Sequence, residues 1–139
     1  MTRETRDEYF VRMAELVASR GTCRRRKVGC VLVSERGHVL ATGYNGVAAG
    51  EHHCLDVACA GAERPSGEGL DMCEAIHAEQ NALLQCRDVW AIDTAYVTDS
   101  PCATCQKLLM NTGCRRIVAA RGYTHGVTHW KREIVVIGQ

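Results

Sequence analysis

Two short stretches carry residue types that can do chemistry. "CEAIHAEQNALLQC" at 73–86 holds His77 and, two positions on, Glu79. "PCATC" at 101–105 holds Cys102 and Cys105, three positions apart. On a helix, i and i+3 share a face, and a helix N-terminus favours the thiolate forms that bind metal. One imidazole with two thiolates suits zinc. Three protein ligands leave the fourth tetrahedral position open, which is the pattern of a catalytic zinc rather than a structural one. Glu79 does not share the face of His77, because i and i+2 diverge on a helix. It suits a water at the open position instead, taking a proton from it and handing that proton to a leaving group. Each piece alone has a plainer reading. His-x-Glu is a common pattern, and a lone CxxC also suits a redox pair, half of a structural zinc site, or core packing. A redox pair has no need of His77 or Glu79, and a structural zinc wants a fourth ligand nearby. The combination therefore points to catalysis.

The elements that must position these residues follow from periodicity. A helix is predicted over 7–19, where Phe10, Met13, Ala14 and Val17 recur at helical spacing. Thr5 and Glu8 have the form of a capping box, and Gly21 is a stop signal. Residues 28–34 and 39–43 read as a hairpin turned by "ERGH". "GYNG" at 43–46 breaks the second strand and suits a ligand-holding loop as well as a plain turn. Residues 47–73, rich in Gly, His and Cys, form a long irregular insertion. A helix over 76–86, a strand over 94–100, a helix from Pro101 to the stop at Gly113, and strands over 115–120 and 133–137 complete the chain. The strand–helix–strand run over 94–120 calls for a parallel, right-handed crossover. The fold class expected is α/β.

Composition narrows the function classes. A chain of 139 residues, 46% of them hydrophobic, fits one domain over 1–139 with one core. The net charge of +1 supplies no global field for nucleic acid or an anionic membrane, so neither is expected as a partner. No run is long enough to span a bilayer, and "MTRETRDEYF" has no apolar signal core, so a soluble cytoplasmic protein is expected. Nine cysteines in a reducing compartment point to metal rather than disulfides. The local exception to the charge balance is "CRRRK" at 23–27, which is either a solvated loop or a trap for phosphate.

"HAE" at 77–79 with "PCATC" at 101–105 resembles the signature of the zinc-dependent cytidine deaminase superfamily. "RKVGCVLVSERGHVLATGYNG", the cysteines that follow it, "IHAEQNALLQ" and "AYVTDSPCATCQKLLMNTGCRRIV" extend the resemblance over about residues 5 to 123 and favour the deoxycytidylate branch. The resemblance implies a three-layer α/β/α sandwich around a mixed sheet of about five strands. It implies His77, Cys102 and Cys105 as zinc ligands and Glu79 as the proton shuttle. Water activated at the metal would add to C4 of the cytosine ring while Glu79 protonates N3 and then the departing amine. Deoxycytidylate (dCMP) would thus yield deoxyuridylate (dUMP) and ammonia, supplying dUMP for thymidylate synthesis. Asn45 would contact the sugar or base, Tyr123 would line the nucleotide pocket, and Ser100, beside the metal loop, would cradle the base amine. Arg26 is the favoured phosphate ligand. Arg24, Arg25, Lys27 and Arg87 compete for that role or for an effector phosphate.

Cys23, Cys54, Cys59 and Cys73 remain for a second, structural zinc that would staple the insertion to the first strand, with His52 or His53 able to replace one ligand. Cys30, Cys86 and Cys114 read as small core residues. Asp99 departs from the family pattern, and a carboxylate there suits either substrate tuning or a helix cap. The resemblance further implies a homo-oligomer, with a hexamer favoured, and deoxycytidine and thymidine triphosphate (dCTP, dTTP) effectors, an effector triphosphate bringing Mg2+. Two rival classes stand beside this reading. One is a deaminase of another substrate: 5-substituted dCMP, dCTP, cytidine or adenosine in transfer RNA. The other is a zinc-stabilised module without catalysis, or a thiol redox protein.

Overall fold

The structure, a computed structural model, describes residues 2–22, 26–46, 76–124 and 132–137. In chain order the elements are α1 (Arg6–Ala18), β1 (Gly29–Ser34), β2 (Val39–Tyr44), α2 (Ala78–Gln85), a 3-10 turn (Val89–Ala91), β3 (Ile92–Asp99), α3 (Ala103–Met110), β4 (Arg116–Arg121) and β5 (Glu133–Val136). The strands form one sheet in the order β2-β1-β3-β4-β5. β1 runs antiparallel to both neighbours, whereas β3, β4 and β5 are mutually parallel, so the sheet is mixed as expected.

Side chains alternate across the sheet with the strand period of two. Cys30, Leu32, Ala95, Val97, Ile117 and Ala119 point to one face, where Ala78 and Ala82 of α2 and Leu109 of α3 cover them. Val31, Val33, Tyr96, Val118 and Ala120 point to the other, against Phe10, Val11 and Ala14 of α1. Helices on both faces make the three-layer sandwich. Double-sided burial also explains why β1 and β4 read as continuous apolar runs rather than alternating ones. Cys30 and Cys114 are fully buried in the first cluster and Cys86 packs against it, as their sequence context indicates.

α1 is started by the Thr5–Glu8 capping box, closed by reciprocal bonds of 3.1 and 2.8 Å. It ends at Ala18 with Ser19 as its C-cap, two residues before the Gly21 stop signal. The helix is tied to the sheet by a polar cluster at its first turn. Arg116 donates to both oxygens of Asp7 at 3.1 and 2.9 Å, and the Tyr96 hydroxyl donates to Asp7 Oδ1 at 2.7 Å. The Arg116 bonds hold the Asp7 carboxyl below its ordinary range. Glu133 of β5 takes a further Arg116 bond at 3.0 Å, so one guanidinium of β4 joins α1 and the edge strand β5.

The sheet's direction decides where chemistry can occur. The C-terminal ends of β2 and β3 and the N-terminal end of β1 lie along one edge. α2 and α3 begin at this edge. α2 can approach because β2 carries Gly43: a Cβ there would lie 2.3 Å from Ala82 N and 2.4 Å from Ala78 O. Among the described residues no helix is long and apolar enough to cross a membrane.

Candidate active site

His77 and Cys102 occupy matching positions, each the extended N-cap residue of its helix, α2 and α3. Neither side chain is spent on capping. At α2 the Gln80 side chain reaches back to accept from His77 N at 2.9 Å, and the imidazole Nδ1 turns toward the two sulfurs. Cys105, in the first turn of α3, is fully buried. The two helix starts thus converge on one point. His77 Nδ1 lies 3.3 Å from Cys105 Sγ and 3.6 Å from Cys102 Sγ, and the three ligand atoms all fall within 4.8 Å of one another.

This spacing fits zinc. Bonds of about 2.1 Å to nitrogen and about 2.3 Å to sulfur in a tetrahedron imply an N···S edge of about 3.5 Å. The protonation chemistry agrees. Hydrogen bonds from Cys105 and His77 pull the Cys102 thiol down to about 3, making it a thiolate. That thiolate, together with burial, pushes the Cys105 thiol up, and it raises the His77 imidazole too. Two sulfurs and a ring nitrogen so arranged are a donor set in which a dication replaces shared protons.

Glu79 projects from the first turn of α2 and is 5% exposed. Burial raises its carboxyl above the ordinary range, opposed by its own backbone N–H and by the charges of His77 and Arg26. A buried carboxyl beside these three ligand atoms, in no ion pair among the described residues, can accept and return a proton.

The flanking residues have defined local roles. Asn45, buried at the end of β2, accepts from Val28 N through Oδ1 and donates to Arg26 O through Nδ2, both at 2.9 Å. It fixes the backbone that carries Arg26. The Arg26 side chain is exposed, and its charge is felt at both His77 and Glu79. Ser100, just past β3, donates to Tyr123 O at 2.9 Å and accepts from Tyr123 N at 3.0 Å. It clamps the turn in which Gly122 takes φ 124°, a conformation suited to glycine. Tyr123, half-buried, donates through its hydroxyl to Pro101 O, the carbonyl preceding Cys102.

Lys27 is exposed beside Arg26. Arg87 follows the C-terminal end of α2, separated from His77 by the full helix, about 12 Å of rise. Asp99 pairs with Arg121 at 3.2 Å across the parallel register, and Cys102 rather than Asp99 is the N-cap of α3. Arg24, Arg25, Cys23, Cys54, Cys59, Cys73, His52 and His53 lie outside the described residues, as does the whole 47–73 insertion.

One residue of the site escaped the sequence reading. Gln106 is 1% exposed, and its Nε2 donates to Pro101 O at 3.1 Å and to the Tyr123 hydroxyl at 3.3 Å. It braces the loop that delivers Cys102. Its signal was a Gln three residues before the buried Leu109, on the inward side of a short amphipathic helix.

Comparison with known proteins agrees with this geometry. Residues 4–121 match the family model described as the cytidine and deoxycytidylate deaminase zinc-binding region. The deoxycytidylate deaminase of Mycobacterium phage D29 is 42% identical over 125 residues, covering 85% of this chain and 96% of the phage protein. The deoxycytidylate deaminase of Saccharomyces cerevisiae is 38% identical over 125 residues, covering 88% of this chain. The chain spans about 40% of the length of that yeast relative and 38% of its Schizosaccharomyces pombe counterpart. Among solved structures, the apo dCMP deaminase of cyanophage S-TIM5 superposes with a TM-score of 0.72 at 27% identity, covering 98% of this chain and 100% of that one. The same phage enzyme in complex with dCMP and dUMP gives 0.66 at 28% identity, covering 88% and 86%. The match runs through both helix starts that converge on the three ligands, and by it this chain belongs to the cytidine and deoxycytidylate deaminase family.

Proposed function

We propose that the protein is a zinc-dependent hydrolase that converts dCMP to dUMP and ammonia. The observation that carries this is the convergence of His77, Cys102 and Cys105 beside a buried Glu79. The substrate rests on the phage and yeast relatives, which are deoxycytidylate deaminases, and on the S-TIM5 enzyme's complex with dCMP and dUMP.

His77 Nδ1 and the sulfurs of Cys102 and Cys105 would hold the zinc. Bound there, zinc supplies the positive charge that makes water nucleophilic near neutral pH. Glu79 holds the proton that the ring N3 and then the departing amine require, and its burial keeps bulk water from competing for it. Asn45 fixes the backbone at 26–28, so that Arg26 can meet the 5′-phosphate with a guanidinium fork. Tyr123, held by Ser100 and Gln106, forms the wall of the pocket next to Pro101. The same reading extends to a structural zinc on Cys23, Cys54, Cys59 and Cys73, to a cytoplasmic homohexamer, and to dCTP and dTTP effectors with Mg2+. These rest on the family resemblance and on the cysteine-rich insertion.

The test is ammonia release from deoxycytidine, dCMP, dCTP, 5-methyl-dCMP and cytidylate, with and without added dCTP. Turnover of dCMP well above deoxycytidine is expected. Equal turnover of the two would replace the nucleotide reading with a nucleoside one. Silence on every substrate with zinc bound would return the non-catalytic reading.

A further inference from the structure

Thr22 lies between α1 and the segment that carries Arg26, and it is 9% exposed. Among the described residues its Oγ1 is the buried side-chain polar atom without a hydrogen-bond partner. A buried hydroxyl left in this state is unfavourable, and native structures rarely keep one without a reason. Its surroundings supply a reason. The hydroxyl faces the bare Cα of Gly46: a Cβ at that position would lie 3.2 Å from Oγ1, with the edge of the Tyr44 ring at 3.7 and 3.9 Å. With no methyl at 46, the approach to the hydroxyl between Gly46 and the Tyr44 ring edge stays clear, a niche that any side chain there would close. Because Tyr44 is 36% exposed, the niche lies near the surface.

The niche belongs to the active-site edge. Gly46 pairs with Ile76 through bonds of 3.0 and 2.7 Å, and Ile76 immediately precedes His77. Asn45 holds both sides, accepting from Thr22 N at 3.0 Å through its backbone carbonyl and donating to Arg26 O through its side chain. One buried asparagine thus sets an unpartnered hydroxyl and an exposed guanidinium on the same short stretch of the rim.

We propose that Thr22 is a substrate contact, its hydroxyl bonding an oxygen on the sugar–phosphate side of the nucleotide, with Gly46 kept bare so that this oxygen can enter. The inference rests on the proposed nucleotide deaminase activity and assigns part of its specificity to a hydroxyl rather than to the cationic cluster alone.

The experiment compares Thr22→Val, Thr22→Ser and Gly46→Ala with the wild type in the full zinc-loaded chain. It reads Tm, and KM and kcat for dCMP and deoxycytidine. Valine keeps the shape and removes the hydroxyl. No internal hydrogen bond is lost, so Tm should stay within about 2 °C of wild type or rise. KM for dCMP should rise roughly tenfold or more with kcat little changed, the loss expected for one bond to an anionic group. Serine should recover KM to within about threefold of wild type, because it restores the same bond. Gly46→Ala should raise KM like valine, since the methyl fills the niche and the glycine does not occupy left-handed backbone. A loss confined to dCMP places the partner on the phosphate, and an equal loss with deoxycytidine places it on the sugar; both support the contact. An unchanged KM in Thr22→Val overturns it, as a niche filled only by water would give. A drop in Tm with unchanged KM also overturns it, by showing that the hydroxyl serves the fold. If wild type deaminates no cytosine nucleotide, the functional reading fails first and this inference with it.

Discussion

Replacing Gly43 by alanine should disable the metal centre from the opposite side of α2. A Cβ at 43 would meet backbone atoms of α2 at 2.3 and 2.4 Å. Backbone cannot rotate away as a side chain can, so α2 must move off β2 by about 1 Å to reach ordinary contact distance. His77 is the N-cap of that helix, while Cys102 and Cys105 belong to α3. The displacement therefore falls on the N···S separations of 3.3 and 3.6 Å rather than being shared by all three ligands. A misplacement of about 1 Å costs on the order of a hundredfold in rate, and zinc affinity should fall with it. Overpacking should also cost about 1–3 kcal/mol, or about 3–10 °C in Tm for a chain of this size. Gly113 provides the control. A Cβ there would lie 2.2 Å from Trp90 O, a similar clash, but beside the start of β3, at the opposite end of that strand from Cys102. Gly113→Ala should lower Tm comparably and leave zinc content and kcat intact. Zinc is measured by atomic spectroscopy after dialysis against a weak chelator, and kcat by ammonia release. Full zinc and wild-type kcat in Gly43→Ala would refute the argument that α2's seating sets the ligand geometry. Equal losses in both variants would refute its locality.

Glu79→Gln should keep zinc and a Tm equal to or above wild type while kcat falls by about 10²–10⁴; surviving activity would remove Glu79 from the mechanism. Arg26→Ala should raise KM for dCMP about tenfold while sparing deoxycytidine, whereas Arg87→Ala should change neither. Asp7→Asn should cost about 1–2 kcal/mol at neutral pH, a figure reduced for the partial exposure of the Asp7–Arg116 pair. Asp7 is held below its ordinary value of 3.8, so its contribution is complete above that pH and is lost as pH falls toward the depressed value. The Tm gap between wild type and Asp7→Asn should therefore close on acidification below about pH 4, and a gap constant from pH 7 to pH 3 would show that the charge of Asp7 is not what matters.

What the sequence could reveal depended on how locally each feature is encoded. The ligands were legible because type and spacing suffice: a Pro-initiated CxxC and a His two residues before Glu each sit at a helix start, and helix starts are marked by local signals. The sheet order was less so. Doubly buried strands lose the alternation that reveals a face, and the seating of α1 depends on Asp7 meeting Arg116, 109 residues away in the chain. Asn45, Ser100 and Asp99 were found by position, yet their contacts are long-range and could not be read. Asn45 and Ser100 hold backbone segments, and Asp99, expected to tune substrate or cap a helix, pairs with Arg121.

The arrangement also explains why the centre is assembled from two helix N-termini. An N-cap residue has extended backbone and a side chain that the helix does not bury, so it can turn toward a neighbour. Its helix supplies partial positive charge, which favours thiolate and carboxylate over their protonated forms. At α2 that preference works against the burial of Glu79, and burial prevails. At α3 it works with the bonds from Cys105 and His77, and the thiolate of Cys102 is favoured. Similar helix starts thus give opposite protonation tendencies because one acid is enclosed and the other faces its partners. A centre that must hold a cation and also keep a proton at hand needs that asymmetry.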